Sequence, residues 1–153
     1  MSLNLGDPAP DFKLLDGEGN TVRLSDFSGQ RVVLYFYPRD NTPGCTKEAC
    51  GFRDQFPAFT GKNIAVLGVS TDDAKKHQKF SEKYDLPFPL LCDIDAVVAT
   101  DYKSYGLKKF MGKEYVGVLR QTFIIGPDGR LEKIYRKVKP AEHAAQILQD
   151  LED

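Results

Sequence analysis

The sequence predicts an α/β fold, with a mixed central sheet flanked by helices on both faces. Segments typical of strands and helices alternate from residue 31 to residue 105, and this order favours parallel pairing between strands. The turn Pro127-Asp128-Gly129 lies between two strand-like runs and predicts an antiparallel hairpin. No repeat, low-complexity tract or linker-like stretch interrupts the chain, so we expect one domain over residues 1–153.

Seven segments have the composition and length of β-strands. Residues 31–37 and 64–69 are apolar on both alternating faces, which is typical of central strands covered on either side. The turn-rich residues 16–20 separate two short strand candidates and predict a β-hairpin near the N-terminus. In chain order, the predicted strands cover residues 11–14, 21–24, 31–37, 64–69, 90–92, 122–125 and 131–136.

Four helices fit between and after these strands. Thr42 is placed to cap the first helix, with Pro43 at its first position, leading into residues 46–56. Residues 107–119 have neither a helical nor a strand period, and they are expected to form a long surface loop near a functional face. The other predicted helices are 74–84 capped by Asp72 or Asp73, 96–105 capped by Asp95, and a terminal helix opening at Pro140.

Charge and hydropathy exclude several classes of partner. The chain has 21 Lys and Arg against 22 Asp and Glu, a net charge of −1, so no general field attracts nucleic acid or an anionic membrane. The apolar runs are far shorter than the ~20 residues of a membrane-spanning helix. The first residues have neither the basic nor the apolar region of an export signal. We therefore expect a cytoplasmic protein without nucleic-acid or membrane partners.

Cys45 is the strongest candidate for a reactive group. It follows a predicted strand and falls in the first turn of a predicted helix, where unpaired N–H groups and the helix dipole favour a thiolate. The alternative is an inert buried cysteine, the commoner fate of a cysteine in an apolar segment. The Pro, Thr and Gly just before Cys45 indicate a turn and favour the reactive interpretation.

Cys50 follows five residues later, and this spacing constrains any bond between the two sulfurs. On an intact α-helix the two Cα atoms are about 8.7 Å apart, whereas a disulfide tolerates at most about 7 Å. A bond would therefore require the first turns to unwind. The spacing does not match a Cys-x-x-Cys exchange motif. Neither His77 nor His143 lies at a recognisable zinc-ligand offset, and both are expected on solvated helix faces.

Thiolate attack on an electrophilic oxygen also needs groups that hold the substrate and stabilise negative charge. Thr42 offers a hydroxyl three residues before Cys45, and Arg120 is a candidate cation just before a predicted strand. The sequence does not show whether Arg120 reaches Cys45. Cys92 is expected to pack as a small hydrophobe near a strand end.

At these residues the chain resembles the peroxiredoxins. Pro38, Thr42 and Cys45 meet the pattern Pro-x-x-x-(Thr/Ser)-x-x-Cys. The run Thr42-Pro-Gly-Cys-Thr-Lys-Glu-Ala-Cys50 is similar to the bacterioferritin-comigratory protein or peroxiredoxin Q subfamily. Arg120 and the strand and hairpin after it look like the arginine-bearing strand of that family. The similarity extends from about Gly6 to the terminal helix and assigns no role to Cys92.

The resemblance implies a thioredoxin-like fold with an N-terminal β-hairpin extension, and thiol-dependent reduction of peroxides. Cys45 would attack hydrogen peroxide or an organic hydroperoxide and become a sulfenic acid. Cys50 would convert that sulfenic acid to an intramolecular disulfide, which a thioredoxin-type reductant would then reduce. The resemblance implies no metal, haem or flavin, and a monomer or weak homodimer.

The resemblance also assigns roles to four further residues. Thr42 would hydrogen-bond the peroxide, and Arg120 would stabilise the transition state. Pro38 would shield the sulfenic acid from water, and Glu48 would orient the arginine. An alternative function would use the same two cysteines, in a peroxide sensor or redox relay whose disulfide form changes partners instead of serving turnover.

Overall fold

The computed structural model describes residues 3–151, which contain nine strands, four α-helices and a short 3₁₀ helix at Leu24–Phe27. Among these residues, no helix is both long enough and apolar enough to cross a membrane. The strands are β1 (Lys13–Asp16), β2 (Thr21–Arg23), β3 (Arg31–Phe36), β4 (Ile64–Ser70), β5 (Leu90–Cys92), β6 (Tyr105–Phe110), β7 (Lys113–Val118), β8 (Gln121–Ile125) and β9 (Leu131–Tyr135). The helices are α1 (Pro43–Gly61), α2 (Ala74–Tyr84), α3 (Val97–Asp101) and α4 (His143–Asp150).

Seven of the described strands form one mixed sheet in the order β2-β1-β5-β4-β3-β8-β9. The central strands β3, β4 and β5 are parallel, and the remaining pairs are antiparallel. The N-terminal hairpin extends the sheet because β1 pairs with β5. This arrangement confirms the predicted α/β class, with the first strand two residues later than expected.

The two faces of the sheet carry separate apolar cores, as the apolar sequence of β3 predicts. Val32, Leu34 and Phe36 face a cluster that includes residues of α3. Val33 and Tyr35 face the opposite cluster, to which α1, α2 and α4 contribute. Helices therefore cover both faces, and both sets of alternating side chains on β3 are fully buried or nearly so.

The predicted helix over residues 96–105 is wrong for half of its length. Only α3 is helical, and it begins after Ala96, whose φ of 57° lies in the left-handed region. Asp95 does not cap it; the carboxylate of Asp93 accepts hydrogen bonds from the N–H groups of Val98 and Ala99 instead. The two carboxylate oxygens of Asp93 thus accept from buried N–H groups at the helix start, as a capping residue would.

The predicted loop over residues 107–119 is also wrong, because β6 and β7 form an antiparallel hairpin there. Its turn contains Met111 and Gly112, with φ values of 52° and 80°, as expected for a tight hairpin turn. Leu107 and its cross-strand partner Val116 are 63% and 59% exposed. With apolar side chains exposed in this way, the alternation that identifies a half-buried strand is lost.

Both histidines are buried, contrary to the predicted solvated faces. His77 lies on the same side of α2 as the buried Phe80, and His143 is followed by the buried Ala144. Nε2 of His77 is 2.9 Å from the carbonyl oxygen of Leu91 on β5. Both ring nitrogens of His77 have partners, which allows this polar residue to lie on an apolar helix face.

Candidate active site

Cys45 is the third residue of α1, directly beyond the carboxyl end of β3. Thr42 has extended dihedral angles and precedes Pro43, whose fixed φ suits the first helical position. The first intrahelical bond runs from the N–H of Thr46 to the carbonyl of Thr42, 2.8 Å apart. Cys45 is thereby held in the first helical turn, as predicted, and it is only 1% exposed.

Arg120 is brought to Cys45 by the register between β8 and β3. Gln121, the first residue of β8, pairs with Phe36, the last residue of β3. Arg120, which precedes Gln121, therefore lies beside the loop that leads to α1. Nη2 of Arg120 lies 3.1 Å from Sγ of Cys45, and Nη1 lies 2.6 Å from Oε1 of Glu48. One guanidinium thus bridges a thiol and a carboxyl group on successive turns of the same helix.

Gly44 makes this close approach possible. A Cβ atom at that position would lie 3.2 Å from Nη2 of Arg120. The neighbour would have to move by a few tenths of an ångström, but its guanidinium is held at both nitrogens. A glycine before the cysteine therefore leaves room for the guanidinium at its observed position.

Glu48 is fully buried and has unusual electrostatics. Its Oε2 atom has no hydrogen-bond partner among the described residues, and only Arg120 engages Oε1. Burial raises the pKa of Glu48 to about 7, while the Arg120 guanidinium acts in the opposite direction. Desolvation outweighs a single ion pair here, as is common for buried charges with few partners.

Thr42 and Pro38 line an open groove of about 800 Å³ beside the site. The hydroxyl of Thr42 donates to the carbonyl of Arg39 at 3.0 Å and does not cap the helix. The groove is completed by residues from the start of α2 and from the β6–β7 hairpin. Both predicted residues therefore lie at the wall of this groove.

Cys50 is half-buried on the next turns of α1, and the helix is continuous between the two cysteines. All three cysteines are free thiols. Cys92 lies at the end of β5, and burial raises its pKa to about 11, which disfavours its thiolate. The intact helix has the geometry in which Cys45 and Cys50 cannot bond.

Lys108 is a charged residue of this region that sequence reasoning missed. It lies on β6, lines the groove, and its Nζ donates to the carbonyl of Val118 at 2.8 Å. Burial and the nearby Arg120 lower the pKa of Lys108, while Cys45 acts in the opposite direction. The available signal was the lysine-rich character of residues 107–119, which were expected near a functional face.

A second buried group of polar side chains fastens the loop between β3 and α1. The Asp40 carboxylate accepts a hydrogen bond from Tyr37 and lies 2.6 Å from Nδ1 of His77. The Asp40 N–H donates to the carboxylate of Asp72 at 2.7 Å. One side-chain oxygen or nitrogen atom from each of Asp40, Asp72 and His77 lies within 4.8 Å of the other two, a spacing that could hold a metal ion. Because each is engaged by protein partners, we interpret the group as an anchor of the loop that precedes Cys45.

Comparison with known proteins extends these observations. The AhpC/TSA family model matches residues 5–134. The chain is 49% identical over 153 residues to Peroxiredoxin Bcp of Bacillus subtilis, covering 100% of this chain and 98% of that protein. It is 44% identical over 151 residues to Peroxiredoxin Bcp of Escherichia coli, covering 99% and 97%.

A solved structure shows the same architecture. A crystal structure of a PrxQ mutant from Xylella fastidiosa has a TM-score of 0.92 and 36% sequence identity. The match covers 99% of this chain and 96% of that one. The likeness therefore includes the sheet, the helices and the region around Cys45.

Proposed function

The chain belongs to the AhpC/TSA family and is a peroxiredoxin, a thiol peroxidase, and we propose that Cys45 and Cys50 carry its reaction through an intramolecular disulfide. The observation that carries the assignment of Cys45 as the reactive residue is the 3.1 Å contact between Arg120 Nη2 and Cys45 Sγ at the start of α1. Substrates would be hydrogen peroxide and organic hydroperoxides.

In the first step, the Cys45 thiolate attacks one oxygen of the peroxide. An S–O bond forms, the O–O bond breaks, and the departing oxygen takes a proton to leave as water or an alcohol. Arg120 is positioned to stabilise both the thiolate and the negative charge that develops on the departing oxygen. The Thr42 hydroxyl, which can both donate and accept, would orient the peroxide at the groove.

Two other residues would support this step. Glu48 would hold the Arg120 guanidinium in place through the 2.6 Å contact of Oε1 with Nη1. Pro38, at the wall of the groove, would limit access of water to the sulfenic acid. Neither residue exchanges protons or electrons with the substrate in this mechanism.

In the second step, the Cys50 thiolate attacks the sulfur of the Cys45 sulfenic acid. An S–S bond forms, the S–O bond breaks, and hydroxide leaves and is protonated to water. Because α1 is wound through both cysteines, its first two turns must open before this attack. A thioredoxin-type dithiol would then supply the two electrons that return both cysteines to thiols.

The experiment that tests this function is intact mass with peptide mapping after one equivalent of hydrogen peroxide. We expect the loss of two hydrogens, mapped to a Cys45–Cys50 bridge. Cys45→Ser should consume no peroxide, Cys50→Ser should gain oxygen at Cys45, and Cys92→Ser should behave as the unmodified protein. An unchanged mass of the unmodified protein would contradict the assignment of Cys45, and oxygen addition without a bridge would contradict that of Cys50.

The relay function needs the same chemistry and differs in the fate of the disulfide. Sustained peroxide consumption with a thioredoxin-type reductant would support the peroxidase cycle. One slow oxidation that alters a protein complex would support the relay. A cytoplasmic location, a monomer or weak homodimer, and a single domain over residues 1–153 stay predictions from the sequence.

A further inference from the structure

Glu48 lies between the two cysteines, three residues after Cys45 and two before Cys50. Its carboxyl group therefore belongs to the segment of α1 that must unwind before the sulfurs can meet. It is also the deepest charged group of that segment, with 0% exposure and its one described partner at Arg120. Unwinding would break that contact and transfer the carboxyl group to water.

The charge of this carboxyl group must influence the unwinding equilibrium. A carboxylate has about four lone-pair sites for hydrogen bonds, yet Oε2 is buried and unpartnered among the described residues. The ionised form is poorly solvated in the wound helix and well solvated in the unwound segment. The neutral form loses far less on burial, so it favours the wound helix.

We propose that Glu48 controls the unwinding of the first two turns of α1, its neutral carboxyl group keeping the segment wound and its ionised carboxylate favouring release. This inference rests on the proposed function, because release matters for turnover only if Cys50 resolves the sulfenic acid. Glu48 would then have two roles: it orients Arg120, and it controls when the disulfide can form.

The groups that face Glu48 from the neighbouring elements limit the alternatives. Tyr35 approaches from β3, and burial raises its pKa well above the usual value, with Glu48 and Cys45 adding to the rise. Arg120 approaches from the residue before β8 and stays charged. Cys45 comes from α1 itself and is present in the unmodified protein and in each variant that tests this proposal.

Two further groups act on this cluster through Arg120. Lys108 on β6 and His143 on α4 both experience the charge of that guanidinium. Burial lowers the pKa of His143 to about 4, so it is neutral above about pH 5. Between pH 5 and 7.5 the charge of Glu48 changes, since burial raises its pKa to about 7.

The size of the effect depends on the linkage between ionisation and unwinding. With a pKa of about 7 in the wound helix and the ordinary 4.5 in the unwound segment, the unwinding constant rises about 50-fold from pH 5 to 7.5. The sign is fixed because the wound state binds the proton more tightly. A glutamine at this position retains an amide oxygen for Arg120 but does not ionise, so this rise should disappear.

The first test is hydrogen exchange in reduced protein, followed by mass spectrometry of peptides that span residues 43–51. After correction for intrinsic exchange, we expect protection to fall about 50-fold more in the unmodified protein than in Glu48→Gln between pH 5 and 7.5. Glu82→Gln, an exposed site on α2, is the matched control and should behave as the unmodified protein does. Parallel pH dependence in the unmodified protein and Glu48→Gln would overturn the proposal.

The second test measures disulfide formation after one equivalent of hydrogen peroxide, with acid quench and alkylation. The ratio of the rate in unmodified protein to that in Glu48→Gln should rise about 50-fold over the same pH range, whereas ionisation of the attacking thiol is common to both. A constant ratio would overturn the proposal. A difference in hydrogen exchange without a bridge at any pH would support control of unwinding by Glu48 and contradict Cys50 as the resolving residue.

Discussion

At the residue scale, the site depends on a glycine, which has no side chain, as well as on the groups that contact Cys45. Gly44 leaves the space through which the Arg120 guanidinium reaches Cys45, and Glu48 holds the far side of that guanidinium. Gly44 and Glu48 thus allow the cation to lie within hydrogen-bond distance of the sulfur. A small displacement of this kind of contact is expected to slow a reaction substantially.

Gly44→Ala should therefore slow the reaction of Cys45 with hydrogen peroxide by about 10-fold, because the added methyl group displaces the guanidinium by a few tenths of an ångström. The measurement is the second-order rate constant of the first turnover, monitored by stopped-flow tyrosine fluorescence. Gly61→Ala, at the other end of α1 with nothing within 4 Å of the added atom, is the control and should react at the unmodified rate. Equal rates for both variants would contradict the packing argument.

Residue types predicted the position of Cys45 at a helix start and made Arg120 a candidate cation, but they could not show that Arg120 reaches Cys45. The turn residues before Cys45 and the helix start were readable because they obey local backbone rules. The contact with Arg120 joins residues 75 positions apart and results from the pairing of Gln121 with Phe36. That register is set by packing on both faces of the sheet, which a single sequence does not specify.

At the element scale, the strands that carry continuous apolar runs were predictable, whereas β6 and β7 were not. β3 and β4 are buried on both faces, so composition alone identifies them. The β6–β7 hairpin exposes apolar and charged side chains together, and its pattern resembled a loop. This hairpin nevertheless brings Lys108 to the groove beside Cys45.

Lys108→Met should lower the first-turnover rate constant with hydrogen peroxide several-fold. The substitution keeps an apolar chain of similar length and removes a half-buried cation whose charge acts on Cys45. Lys109→Met is the neighbouring control, because its side chain is 76% exposed and its contact with Glu114 is 3.6 Å long. Measuring the rate constants at increasing salt concentration separates the effects of the two lysines, since the half-buried charge of Lys108 is screened less than the exposed charge of Lys109. Identical rates in the two variants would contradict a role for the charge of Lys108 in the reaction of Cys45.

At the scale of the whole molecule, two buried titratable side chains act on stability in opposite directions. Burial raises the pKa of Glu48 to about 7, so the folded state binds that proton more tightly and gains stability as pH falls from 7 towards 4.5. Burial lowers the pKa of His143 to about 4, so the unfolded state takes that proton first. The contribution of His143 therefore destabilises the folded state as pH falls from 6.5 towards 4.

Each single substitution should expose the contribution of the other group. When pH falls from 7.5 to 5, the unfolding free energy of Glu48→Gln should fall by about 2 kcal/mol relative to that of the unmodified protein. Over the same range, the unfolding free energy of His143→Gln should rise by about 2 kcal/mol relative to that of the unmodified protein. Urea unfolding at a series of pH values measures both. Glu82→Gln, at an exposed position, should show no difference. Changes of the same sign in the two variants would contradict the assigned protonation states.

The two buried histidines show why the interior was harder to predict than the sheet. His77 has the spacing of an apolar position, three residues before Phe80, and only its contacts with Asp40 and Leu91 explain its burial. His143 is likewise buried against Thr122 on β8, with 2.8 Å between Nε2 and Oγ1. Both contacts join distant parts of the chain, so the sequence of each helix alone predicted neither the burial of its histidine nor the partner.

The β6–β7 hairpin pairs only with itself among residues 3–151, whereas Cys45 and Arg120 depend on the seven-stranded sheet. Its turn at Met111 and Gly112 is exposed, and lengthening it would alter no register in that sheet. The turn of this hairpin is therefore independent of the register that positions Cys45 and Arg120, although Lys108 of the same hairpin acts on Cys45. Insertions at this turn offer an evolving or engineered chain a way to reshape the entrance while inheriting the chemistry unchanged.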